Sequence, residues 1–214
     1  MKAICKLCRF FLIRNMCSKK AACLGLVLMV AGLVLPARAQ HSSSTRYIAA
    51  KTNLLVDGLT VANIGGEIQL SRKVSLDVPF YCSPYTVSET WRLRTLAVQP
   101  EVRLWLSQAG EGHFLGVHAH LAGYNVAIND NGRYQDADSP LWGGGLSYGY
   151  ALNLDRNKHW TLGFVIGAGF ARYKWEAYRN WNNGPLFDQG DDWYWGITRC
   201  GITLEYKWYI NRKK

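Results

Sequence analysis

What this chain lacks becomes visible once its first 39 residues are set apart. Lys19 and Lys20 precede an apolar run from Ala21 to Leu35, and Ala37-Arg38-Ala39 follows as a small-x-small cleavage pattern. Residues 1–39 therefore read as a secretory signal peptide. Its apolar run is shorter than the roughly 20 residues a membrane-spanning helix needs. Cys5, Cys8, Cys17 and Cys23 leave with that segment, so only Cys82 and Cys200 remain. Two cysteines exclude a disulfide framework. They fall on the third and eighth strands of the pattern below and are expected to stay as thiols. Positive charge shrinks likewise. Of 25 Lys and Arg, 7 lie at or before Arg38, while all 15 acids lie after it, leaving 18 bases against 15 acids, a net of +3. Nucleic-acid binding thereby loses its main support. No repeat of solenoid period, no low-complexity tract beyond Ser42–Ser44 and no sustained helical stripe appears, which excludes solenoids and helical bundles. Residues 40–46 read as a flexible lead-in and 47–214 as one barrel domain.

What is present is a period of two. In VQPEVRLWLSQAGEGHFLGVHAH, residues 98–120, Gln99, Glu101, Arg103 and Trp105 alternate with Val98, Pro100, Val102 and Leu104. Further on, Phe114, Gly116, His118 and His120 alternate with Leu115, Val117 and Ala119. This is the side-chain period of a β-strand. Such segments cover Tyr47–Asp57, Asn63–Leu70, Val74–Ser83, Arg94–Ser107, His113–Asn129, Leu141–Leu154, Trp160–Trp175 and Trp193–Ile210. Tight polar turns alternate with the longer links Pro84–Leu93, Asp130–Pro140 and Glu176–Asp192, the first link alone being short. Short turns on one rim and long loops on the other are the habit of outer-membrane barrels. Pro100 removes a ladder donor mid-strand and predicts a bulge there.

Composition separates the two faces. One carries Ile64, Ile68, Val78, Phe80, Leu104, Phe164, Ile166, Ile202 and Leu204; the other carries Lys51, Glu67, Asp77, Glu101, Arg103, His118, His120, Arg199, Glu205 and Lys207. The second face also holds Gly143, Gly145, Gly149, Gly163, Gly167 and Gly169. On a solvated face those glycines would weaken the strands for no return. In a narrow lumen they make room for Trp105 and the histidines, and charges of mixed sign can pair there. Tryptophans near strand ends match an interfacial girdle. The expected fold is all-β: an eight-stranded antiparallel up-and-down outer-membrane β-barrel with a filled polar lumen. The same alternation turned inside out gives a soluble periplasmic lipocalin-like ligand-binding barrel.

KTNLL at 51–55, SLDVPFYCSPYT at 75–86, QPEVRLW at 99–105, GHFLGVHAHLAGYN at 112–125 and GGGLSYGYALNL at 143–154 resemble an uncharacterised Bacteroidetes family. Its members are exported proteins carrying a domain of unknown function. The resemblance covers nearly all of the chain beyond the signal segment; Glu176–Asp192 is the part least like the shared pattern. It implies a small outer-membrane barrel with a cell-envelope role, some members being encoded beside fimbrial genes, and it supplies no catalytic residues.

Individual candidates follow from the faces. His118 and His120, at i and i+2, point the same way, and Glu101 on the neighbouring strand could complete a metal site. No acid sits at a diagnostic spacing, so both histidines are assigned to a lumen hydrogen-bond network, with no metal and no cofactor expected. The charged face reads as a stabilising plug. A lipid-modifying enzyme would need a Ser, a His and an acid at the outer rim, where Ser83, Ser88, Glu89, Asp130, Asp136, Asp138 and Ser139 fall without a histidine. A triad there lacks its base, so no catalytic residue is assigned, although such an enzyme remains the alternative. In the last loop Trp181, Phe187, Asp188, Asp191 and Asp192 are the binding candidates, suited to envelope or fimbrial proteins; their spacing lacks a full calcium-loop pattern. The expected partners are outer-membrane lipid and envelope proteins, with no nucleic acid.

Overall fold

The structure, a computed structural model, describes residues 45–86, 92–129, 132–136, 139–180 and 184–211. The signal-peptide segment and Trp181 lie outside the described residues. The strands are β1 (Thr45–Asn53), β2 (Ala62–Gln69), β3 (Val74–Thr86), β4 (Arg92–Val98), β5 (Glu101–Trp105), β6 (Gly112–Asn129), β7 (Gly132–Asp136), β8 (Leu141–Asn153), β9 (Trp160–Tyr178) and β10 (Leu186–Asn211). One helical turn, α1 (Leu54–Asp57), follows β1. All pairings are antiparallel, and β1 pairs with both β2 and β10, so the sheet closes. β4 and β5 share one place in the wall, each lying between β3 and β6. β7 stands above β8, between β6 and β9. The barrel is thus eight-stranded with two additional strand segments.

Register fixes its geometry. Followed from Ile48, the ladder runs through Ile68, Leu76, Val102, Val117, Leu146 and Ala168 to Ile197, whereas Ile48 itself pairs with Trp208. Trp208 lies 11 positions beyond Ile197, and removing the one bulge residue leaves a stagger of 10. With strands about 4.8 Å apart and about 3.3 Å per residue, eight strands so staggered tilt by about 40°.

Four local features differ from the alternation read in the sequence. β1 ends at Asn53, whose side chain accepts from Leu55 N at 3.3 Å and caps α1; Leu54 and Val56 continue the apolar alternation but sit in a helical turn. The bulge expected at Pro100 is not there. Phe80↔Val98 and Asp77↔Glu101 keep one register across it, as do Val98↔Leu121 and Glu101↔His118. A missing donor interrupts the ladder without inserting a residue. Register shifts lie instead between Ala127 and Asn129, between Leu186 and Asp188, and between Ile197 and Arg199. Finally, Asp130–Pro140 contains β7, and Glu176–Asp192 is mostly strand, with β9 running to Tyr178 and β10 starting at Leu186.

The apolar face points outward. Ile64 is 67% exposed, Leu146 68% and Ile166 54%, while Asp77, Glu101 and Lys207 are each 1% exposed. Two aromatic clusters bound this apolar surface. Trp160, Tyr206 and Trp208 meet edge to face with ring centres 4.8–4.9 Å apart near the tight-turn end, and Trp142, Phe170, Trp193 and Trp195 meet at 5.6–6.2 Å toward the tall end. Trp160 and Phe170 are 10 residues apart on β9. That is about 33 Å along the strand and about 25 Å along the barrel axis at the tilt above.

Candidate functional site

The lumen is layered. At the tight-turn end Tyr47, Ala49, Trp105, Ala109, Phe114, Ala151 and Val165 form an apolar seal. Gly110 closes the β5–β6 turn at φ +84°, where Lys207 and Tyr47 occupy the space a side chain would need. Lys207 Nζ donates to Gly110 O at 2.5 Å and lies 5.2 Å from the Tyr47 ring centre. Trp105 Nε1 donates to Ser75 Oγ at 2.8 Å, so the seal leaves its indole satisfied.

Above the seal sits the charge network. Arg103 reaches Glu67, Asp77 and Glu101, each at 2.6 Å. Lys51 contacts Glu67 at 2.6 Å, Asp77 at 2.9 Å and Glu205 at 3.7 Å. Arg199 closes the ring on Asp77 at 2.7 Å and Glu101 at 3.3 Å, and donates to Gln99 Oε1 at 3.1 Å. Ser147 Oγ donates to Glu101, and Tyr47 OH donates to Glu67 at 2.7 Å. Lys51, Arg103, Arg199 and Lys207 balance Glu67, Asp77, Glu101 and Glu205, all buried. Burial on this scale is tolerable only because each ion meets opposite charge or hydrogen-bond partners.

The sequence-predicted lumen residues are therefore brought together, and glycine makes the space. A Cβ on Gly116 would fall on Ser147 Oγ and the Glu101 carboxylate, one on Gly149 on the Phe114 ring, and one on Gly167 within 3.1 Å of His118 Cε1. His118 and His120 stand beyond the ion pairs, ring centres 6.0 Å apart, and His118 Nε2 meets Thr198 Oγ1 at 2.8 Å. Among the described residues no group of three or more His, Cys, Asp or Glu could hold a metal ion. Glu101 pairs with His118 in register, but its carboxylate is taken by Arg103 and Ser147. Tyr47 and Thr198 are members that sequence reasoning missed. Tyr47 shares the parity of Lys51 and could have been found. Thr198 could not, because the bulge beside it turns both Thr198 and Arg199 inward.

The candidates on the last link do not converge. Asp191 pairs with Arg172 at 2.8 Å outside the lumen, and this hydrogen bond holds its carboxyl below the usual range. Asp192 accepts from Trp175 Nε1 at 2.7 Å, and Asp188 from Gln189 N at 2.9 Å. Asp191 and Asp192 are adjacent on one strand and so point to opposite faces. Phe187 is exposed, with the Arg179 guanidinium 4.9 Å from its ring centre.

These features define a class: a small, closed, up-and-down β-barrel with an apolar exterior and a balanced ion-pair core. The chain belongs to the family described as "Protein of unknown function (DUF3575)", whose model matches residues 26–208. No curated protein and no solved structure matches it.

Proposed function

We propose that this chain is an outer-membrane β-barrel protein with a structural or interaction role in the cell envelope. One observation carries the reading: an outward apolar belt bounded by aromatic clusters about 25 Å apart, the height of the lipid-facing band of such barrels. A soluble barrel would place Ile64, Leu146 and Ile166 inside and wet the charges. Here the charges fill the centre, and lipid is the solvent that suits the outside. The role is taken as non-catalytic, because His113 bonds Tyr148 at the tight-turn end and His118 and His120 sit in the lumen. A link to fimbrial assembly or anchoring rests on the resemblance alone.

Heat-modifiable mobility in detergent, together with recovery in the sarkosyl-insoluble outer-membrane fraction, is the expected result. Recovery in the soluble periplasm overturns the membrane reading and favours the lipocalin-like one. Lipid A and phospholipid mass spectra taken with and without the gene are expected to agree; an altered acyl pattern favours the lipid-modifying alternative.

A further inference from the structure

Two places in the wall stop short of their neighbours at the tall end. β8 begins only at Leu141, and the segment just before it, β7, stands above it, bonded to β6 on one side and β9 on the other. β1 ends at Asn53 opposite Thr203, and β2 begins at Ala62 opposite Cys82. β10 runs on past Thr203 to Leu186, paired with β9 on one side. Among the described residues no strand stands above β1 to take its other side.

Side chains close the lowest part of that edge. Asn53 donates to Cys200 O at 3.3 Å and accepts from Ile202 N at 3.2 Å. Gln99 donates to Thr198 O at 2.8 Å, and Tyr194 OH to Ile197 O at 3.3 Å. Farther up, the bonding sides can be worked out. Tyr124 OH donates to Lys174 O at 3.1 Å, on the side of β9 away from β10. Bonding sides alternate along a strand, so Arg172, Lys174 and Glu176 turn from β10. Their register partners Trp193 and Asp191 then present N–H and C=O to the open edge, and Gln189 presents its C=O, its N–H being taken by Asp188 Oδ1. Phe187, Asp188, Gln189 and Asp191 to Trp195 are all exposed. From Leu186 to Thr198 the strand carries Asp188, Asp191 and Asp192 and neither Lys nor Arg.

We propose that this edge of β10 receives an extended, basic segment of a second, different envelope protein as an added antiparallel strand. The proposal rests on the interaction role above and names its surface and partner chemistry. Main-chain bonds to Asp191, Trp193 and the Gln189 carbonyl supply affinity, and Asp188 and Asp192, which meet hydrogen-bond donors but no cation among the described residues, select Lys and Arg. β7 shows the same vacancy above β8 filled by a short strand of this chain. A second copy does not fit. Two copies inserted in one membrane with the same orientation present edges running in the same direction, which forbids antiparallel pairing. Their aspartates would also face like charge, the usual guard against self-pairing.

The test uses the full chain refolded in detergent, with heat-modifiable mobility checked first. The probes are two labelled synthetic peptides long enough to span Leu186–Ile197, one alternating Lys with Val and Thr, the other carrying Glu for each Lys. Anisotropy is expected to show saturable binding of the basic peptide alone. Asp191→Pro removes an edge-facing donor that Asp191→Asn keeps, at an edge where proline is tolerated, and is expected to bind about tenfold more weakly than Asp191→Asn. The D188N/D192N variant, which keeps side-chain acceptors in place and leaves the Arg172–Asp191 pair intact, is expected to weaken binding similarly and to blunt its salt dependence. Equal binding of both peptides, binding of neither, or an Asp191→Pro variant as tight as Asp191→Asn overturns the proposal while a heat-modifiable barrel leaves the membrane reading standing. Loss of heat-modifiability in the parent chain overturns both.

Discussion

Arg103 and Glu67 stand 36 residues apart in sequence and meet inside the barrel at 2.6 Å, both side chains almost wholly buried. Neither ion would be stable there alone. Arg103 also serves Asp77 and Glu101, so three strands are tied through one guanidinium. Removing one partner of a buried pair costs about 3–5 kcal/mol, because the other is left uncompensated. Arg103→Met is therefore expected to lower the urea midpoint and deplete the heat-modifiable form, and Arg103→Met/Glu101→Gln to recover part of the loss. A single variant as stable as the parent would show that the carboxylates find other partners.

Gly149 faces Phe114 so closely that a side chain at 149 has no room. Overpacking of this kind costs about 1–3 kcal/mol. Gly149→Val is expected to destabilise by at least that much in urea unfolding, and Phe114→Ala in the same chain to relieve only part of it, because the Phe164 carbonyl also lies where the new side chain would go. Additive losses in the double-mutant cycle would mean that the two positions do not share space.

Ile166 lies between the two aromatic clusters on β9 and is 54% exposed. An arginine at the middle of a lipid-facing band costs about 2–4 kcal/mol. Ile166→Arg is expected to impair folding into lipid vesicles, with Gln189→Arg, on the extension beyond the upper cluster, as a near-neutral control. If both variants fold into vesicles equally well, the belt is not in contact with lipid.

The alternation, the glycine-rich inner face and all ten charged or histidine lumen residues were legible in the sequence, because a period of two is enforced wherever one face must avoid the medium on the other. Other features depend on partners distant in sequence. GRYQD gives no strand signal of its own, yet Gly132–Asp136 becomes β7 because β6 and β9 both lack a neighbour above β8. Asp188, Asp191 and Asp192 disfavour a strand locally, and pairing with β9 overrides that preference. The Ile197–Arg199 bulge leaves no mark in composition. Pro100, which does leave one, costs a bond and shifts nothing.

Arg172 and Asp191 make two contacts, at 2.8 and 3.2 Å, on the exposed face of the β9–β10 extension. The hydrogen bond from Arg172 depresses the Asp191 carboxyl and raises the guanidinium. A carboxyl depressed in the folded state contributes stability above its unfolded value, near about 3.9, and loses it as pH falls through the folded one. The extension is therefore expected to be indifferent to pH from neutral down to the ordinary carboxylate range and to loosen only below it. Carbon-detected titration of Asp191 should show the low value, and Arg172→Gln should return it toward the ordinary one. A titration unmoved by that change would assign the depression to Lys174 instead.

Conduction is the remaining question the lumen poses. An eight-stranded barrel leaves an interior just wide enough to be filled by side chains. Here Trp105, Tyr47 and Phe114 block the tight-turn end, and the Arg103–Lys51–Arg199 network fills the section above it. An ion entering from either side would have to displace charges already held by opposite partners, and the seal offers it no polar path. The chain is expected to insert into planar bilayers without steady current. Trp105→Ala, which removes the largest side chain of the seal at a cost of about 3–5 kcal/mol, is expected to admit brief, small openings while the ion pairs stay in place. Steady conductance steps from the unaltered chain would show that the seal opens by itself, and the plug would then be a gate.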